Sequence, residues 1–273
     1  MSATAYVLGD APDELRRLDE QSAILRPATA RLLADCGLRA GMSVLDVGCG
    51  TGEVSMLAAD AVGPAGAVTG VDRAPEALEK GRDRAALRRA GHVRFVEDDI
   101  GAMSADEDYD AVLGRMVLMH QPDPVQVLAH LAALARPGAA VAFAEIYLVP
   151  AHTSLPGRPL FETMLGWIDG ALTRAGVNTR MGMALRQTFV RAGLPAPAVR
   201  LEPLMMVGVD PAYIRWGVET LRTLLPVLEP LGVATPDEVD IATLPARLAA
   251  EAAAIGGAAM PCMLGTAWTR LPG

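Results

Sequence analysis

Three glycines at alternate positions, Gly48, Gly50 and Gly52, follow Asp46 in the stretch VLDVGCGTGEVS. A backbone without side chains at the end of an apolar run lets a ligand approach main-chain atoms, and glycine permits the tight strand-to-helix turn such a site needs. Two phosphate-binding readings fail on spacing. A dinucleotide fingerprint requires glycine where Glu53 stands, and no Gly-Lys-Ser or Gly-Lys-Thr follows for a Walker loop. An acid beside the bare turn suits a ligand bearing an ammonium or sulfonium group. Further along, His120 in MVLMHQPDP offers an imidazole that can act as a general base near neutral pH. The same histidine equally reads as packing against, or capping, the helix that Asp123 and Pro124 begin. Cys49 has no base nearby to lower its thiol pKa, so it reads as a small packing residue.

The elements that must position these residues follow from caps and periodicity. Pro12 suits a first helical turn, and a second helix is expected from Pro27 to about Gly37. From Met42 short apolar runs alternate with amphipathic helices: SVLDVG, AVTGVD, HVRFVEDD, YDAVLGR and AAVAFAEIYL are the strand candidates. Such alternation predicts an α/β fold with parallel strands joined by right-handed helical crossovers. Past residue 150 the pattern loosens into helices near Leu160–Ala175, at RMGMALRQTFVRAGL and after Asp210 and Thr235, with strands near Val199–Val207 and at MPCMLGTAWTR. The resulting organisation is a helical cap over 1–40, an α/β core over 41–150, lid insertions interleaved with a remaining core strand over 151–258, and a last core strand over 259–273.

Composition narrows the partners. The 273 residues are 51% hydrophobic, enough to bury a core, and their net charge of -8 lacks the positive footprint of phosphate-backbone binding. No nucleic-acid partner is expected. Cys36, Cys49 and Cys262 are odd in number and widely spaced, which suggests neither a disulfide framework nor a metal site. The N-terminal segment has no basic region leading into an apolar run, and the Ala-rich stretches are broken before membrane-spanning length. A cytoplasmic chain without membrane partner, with a homodimer as its candidate assembly, is the expectation.

The stretch VLDVGCGTG resembles the nucleotide-binding motif of class I S-adenosylmethionine-dependent methyltransferases, in particular the small-molecule, UbiE-like and natural-product branch. The resemblance continues through GVD, FVEDDI, YDAVLGRMVLMHQPDP and LARPGAAVAFAE, over residues 14 to 148. It implies a Rossmann-like sheet of seven mostly parallel strands with a reversed last strand, helices on both faces, and S-adenosylmethionine as cofactor, released as S-adenosylhomocysteine. Gly48, Cys49 and Gly50 would approach its methionyl and ribose parts, with Asp46 organising the methionyl amino group. Asp72 would accept from the ribose hydroxyls, beside Arg73. Asp99 would face the adenine amino group and Ile100 its ring, although Asp98 stands where the family usually has glycine, so the two acids could exchange roles. Gly114 or Arg115 would lie beside the methionyl end.

Substrate contacts are expected from Met119, Glu145 and Tyr147 near the strand ends and from Met164, Trp167 and Trp216 in the insertions. Met164, Met181, Met183, Met205 and Met206 favour an adaptable apolar pocket, while stripes at helical spacing equally read as core. The leading function is methyl transfer to an apolar small molecule of specialised metabolism, on oxygen or carbon, with nitrogen open. The alternatives are a non-methylating cyclase or rearrangement enzyme that binds the same cofactor, and a non-catalytic binding or regulatory module.

Overall fold

A computed structural model describes residues 12–104, 108–148 and 154–273. Along the chain the elements are α1 (Pro12–Asp35), β1 (Ser43–Val47), α2 (Glu53–Val62), β2 (Ala67–Asp72), α3 (Pro75–Leu87), β3 (Val93–Glu97), β4 (Tyr109–Arg115), α4 (Pro124–Ala132) and β5 (Ala135–Leu148), with a single 3-10 turn at Leu118–His120. They continue as β6 (Ser154–Leu155), α5 (Pro159–Arg174), α6 (Met181–Arg191), β7 (Ala198–Val207), α7 (Pro211–Leu228), α8 (Pro236–Val239), α9 (Leu244–Ile255) and β8 (Ala258–Arg270).

The chain divides into two compact units. A sheet unit gathers Leu25–Glu145, Met181–Leu201 and Gly265–Gly273; a helical unit gathers Met1–Ile24, Ile146–Arg180 and Glu202–Leu264. Neither is continuous in sequence, so the residues 1–40 expected as one cap are shared between the two.

In the sheet unit the strands run β3-β2-β1-β4-β5-β8, with β7 also paired to β8. The first five are parallel, with Val47 opposite both Val71 and Gly114 and Asp72 opposite Glu97. This register brings the carboxyl ends of β1, β2 and β4 together, the place where open α/β sheets bind ligands. The end of β8 lies beside the start of β5, through Leu271 N–H to Ala139 O and Gly138 N–H to Pro272 O, so β8 runs against the parallel strands. The sheet has eight strands among the described residues where seven are expected. The addition is β6, a two-residue antiparallel pairing of Ser154 with Ala259 and Leu155 with Ala258.

The expected break at Pro27 is absent: α1 runs through it. Leu25, Ala28, Thr29, Leu32, Leu33 and Cys36 are all buried, at spacings of three and four residues. That continuous face, packed into the core, outweighs the one helical hydrogen bond a proline removes. The helix closes as the sequence suggests, with Gly37 at φ +80° and Leu38 N–H reaching back to Leu33 O.

In the helical unit α5, α7 and α9 pack on one another. Each follows a proline in its first turn, and Asp210 caps α7 by accepting from Ala212 N–H and Tyr213 N–H. No helix among the described residues is long and apolar enough to cross a membrane.

Candidate cofactor and active site

Every cofactor candidate lies in the sheet unit. The turn after β1 carries Gly48, Gly50 and Gly52 at φ +60°, +51° and +78°, a left-handed run that residues with side chains rarely adopt. At Gly48 the reason is also space: an added Cβ would stand 2.4 Å from Val117 Cγ2. Cys49 packs among Met56, Leu78, Ala85 and Phe95. Burial, reinforced by the nearby Asp46 and Asp72 charges, pushes its thiol pKa up, so it is held as a packing residue.

Asp46 points to the face covered by α2. It is 1% exposed, its Oδ2 accepts from Ser55 Oγ at 2.6 Å, and its Oδ1 is buried with no hydrogen-bond partner. Burial raises its pKa to about 7, against the opposing pull of the Ser55 hydrogen bond and the Arg115 guanidinium. Arg115 donates to Thr29 Oγ1 at 3.0 Å, which ties the end of β4 to α1. A buried carboxylate oxygen left without a donor fits a cationic group, and the glycine turn beside it supplies the bare backbone for such a group to reach.

Asp72 is locked rather than free to swing. Its Oδ2 accepts from Gly50 N–H at 2.8 Å and its Oδ1 from Ala74 N–H at 3.0 Å. The carboxylate therefore joins the glycine turn to the end of β2, with lone pairs left to accept from a diol. Arg73 beside it is exposed. After β3, Asp98 N–H bonds Asp72 O, Asp98 Oδ1 accepts from Asp99 N–H, and Asp99 Oδ1 accepts from Gly101 N–H. Both acids are exposed and shape the same turn, while Ile100 is buried behind them.

The segment after β4 has a support that the sequence does not reveal. Met116 takes a positive φ of 58°, and the next three amides, of Val117, Leu118 and Met119, all donate to the Glu145 carboxylate at 3.0, 2.8 and 3.3 Å. Glu145 is fully buried, and burial lifts its pKa to about 7 even though the three amides pull it down. Expected as a substrate contact, Glu145 has its oxygens engaged by this loop instead. Met119 is buried, and half-buried His120 ends the turn with its N–H on Val117 O. Gly114 earns its place by packing: a Cβ there would meet Phe143 Cε1 at 2.4 Å.

Tyr147, Met164, Trp167 and Trp216 belong to the helical unit. Met164 is fully buried against Gly217, Trp216 is buried, and Tyr147 and Trp167 are half-buried. The five methionines expected around a pocket do not share one environment: Met164, Met181 and Met206 are buried, while Met183 and Met205 are exposed. Sequence reasoning missed Ser55, Thr29 and the clamping role of Glu145. Each acts through a tertiary hydrogen bond with no local signature.

Residues 38–165 match a family described as a methyltransferase domain. Demethylmenaquinone methyltransferases from strains of Staphylococcus aureus are 33% identical over 135 residues, which is 49% of this chain and 52% of theirs. The chain thus spans about half the length of these curated relatives. Among solved structures, YcgJ from Bacillus subtilis covers 91% of this chain and 99% of its own at 15% identity and TM-score 0.58. The cyclase SpnF covers 90% and 80% at 17% identity and TM-score 0.56. These structural likenesses establish the fold.

Proposed function

We propose that this chain, whose residues 38–165 match a methyltransferase-domain family, is a class I S-adenosylmethionine-dependent methyltransferase that transfers the methyl group to a small-molecule acceptor, on oxygen or carbon. The observation that carries the reading is the buried, unpartnered Oδ1 of Asp46 beside the glycine turn. S-adenosylmethionine, when bound, supplies an electrophilic methyl group on a sulfonium. Asp46 would hold its ammonium, Asp72 its ribose hydroxyls, and the Asp98–Ile100 turn its adenine. In-line displacement needs the acceptor fixed along one axis, and positioning of that kind supplies roughly 7 to 11 kcal/mol in favourable cases. The relatives' name points to a small-molecule acceptor, in keeping with the acidic charge balance of this chain.

His120 is the proton acceptor in this reading, at the end of the loop that Glu145 clamps. His120→Ala should lower turnover by roughly 10² to 10⁴, with a loss that shrinks as pH rises and the acceptor ionises unaided. Turnover across pH 6 to 10 beside the melting curve checks it; a loss flat in pH removes His120 as the base. The decisive experiment for the whole reading is an acceptor screen with isotopically labelled methyl donor. Release of S-adenosylhomocysteine with one methyl gained on a product supports transfer, whereas an altered product without that mass gain means a cyclase or rearrangement.

A further inference from the structure

Among the described residues, three buried side-chain atoms of the helical unit lack a hydrogen-bond partner: Arg158 Nη1, Trp216 Nε1 and Glu219 Oε2. Arg158 has a structural task, since its other nitrogens donate to Gly256 O and Gly257 O and close the C-terminus of α9. The other two sit three residues apart on α7, a spacing that makes neighbours on one helix face. Arg222 Nε stands 3.4 Å from each Glu219 oxygen and bonds Oε1, so the carboxylate is charge-compensated while Oε2 stays unbonded.

The surroundings are apolar and polarisable. Trp216 is 9% exposed, Tyr213 meets it edge-on with ring centroids 6.4 Å apart, and Met164 occupies the space left open at Gly217. A buried donor and a buried acceptor that form no hydrogen bond are destabilising. A single group that satisfies both must accept from the indole N–H and donate to the carboxylate. A hydroxyl does both; a carbonyl can only accept and an ammonium can only donate.

We propose that Trp216 Nε1 and Glu219 Oε2 form a recognition subsite for the hydroxyl group of an apolar, phenol- or alcohol-bearing ligand. The inference rests on the methyltransferase reading only in identifying that ligand as the acceptor.

The test uses the full chain labelled with nitrogen-15, whose three indole N–H signals come from Trp167, Trp216 and Trp268. The Trp216 signal is the one that survives in both Trp167→Phe and Trp268→Phe. Phenol and toluene, which differ by hydroxyl against methyl, are the probes. Phenol is expected to shift the Trp216 signal saturably and to bind about tenfold tighter than toluene. Trp216→Phe, which keeps an aromatic ring but loses the donor, should bring the two probes within about twofold. Should that variant fail to fold, Glu219→Gln weakens phenol several-fold while the Trp216 signal still reports. A phenol titration that leaves the signal in place, or a phenol preference no greater than that for toluene, overturns the subsite and leaves water as the partner of both atoms. A preference that survives Trp216→Phe overturns it as well. Calorimetry with S-adenosylhomocysteine on the same sample separates the two readings: absence of cofactor binding with an intact phenol preference removes the methyltransferase reading alone, and the reverse removes the subsite alone.

Discussion

At the scale of single residues, glycine and acid divide the work of the cofactor turn. Gly48 illustrates why a sequence motif can be legible: its φ of +60° and the 2.4 Å approach of Val117 to a would-be Cβ leave no other residue suitable. Gly48→Ala should destabilise the chain by about 2–5 kcal/mol, from about 1–2 for the left-handed backbone and about 1–3 for overpacking. Adding Val117→Ala to it should recover the overpacking share and not the backbone share, which urea unfolding of the single and double variants measures. Equal stability of Gly48→Ala and the parent would mean that the turn relaxes freely. The positions of Asp46 and Asp72 near strand ends were legible from the short apolar runs that lead into them, while the cofactor roles expected of them came from the family resemblance. Ser55 and Thr29 were not: their partners are 9 and 86 residues away, and a hydroxyl's role there depends on packing that no local pattern encodes.

At the scale of elements, the strands and most helices followed from alternation and proline placement, whereas α1 did not break where a proline suggested. A face of six buried residues across Pro27 decides that case. The Glu145 clamp was illegible for a different reason. In sequence Glu145 is a lone acid inside an apolar strand, and only the parallel pairing of β4 with β5 sets it under the loop that follows Arg115. If the clamp holds that loop, Glu145→Gln should speed amide hydrogen exchange at Val117, Leu118 and Met119 by roughly ten- to hundredfold, the equivalent of about 1.5–3 kcal/mol for bonds to a charged acceptor. Amides in β1 and β2 should be unaffected. Unchanged exchange at the three loop positions would show that the loop keeps its conformation without the carboxylate.

For the molecule as a whole, two buried acids set how stability responds to pH. Asp46 and Glu145 both titrate near pH 7 when folded, raised by burial, and near pH 4 in an unfolded chain. Between those values the folded state holds more protons than the unfolded one, so stability is greatest at the acid side of the window and falls as pH rises through it. The ligand-free chain should therefore melt at a lower temperature at pH 8 than at pH 5, and Asp46→Asn should flatten part of that slope. A cation bound beside Asp46 favours its ionised form, so saturating S-adenosylhomocysteine should flatten the slope too. Thermal scans at pH 5, 6, 7 and 8 check this; a melting temperature that rises with pH contradicts it.

The placement of β8 also governs what happens while the chain is being made. Its first residue follows the last residue of β5 by 110 positions, from Leu148 to Ala258. At roughly 5–20 residues per second, β5 waits about 5–20 seconds with one edge unpaired. Its buried run, 139–146, is AAVAFAEI. Such an edge invites pairing with another nascent chain, yet this one is rich in alanine, a poor strand former, and carries one acid. In the open edge Glu145 is solvated and ionised at neutral pH, and a charge in an otherwise apolar strand is a gatekeeper against self-association. The carboxylate that binds three amides in the folded protein would, on the open edge, oppose self-association of the unfinished strand.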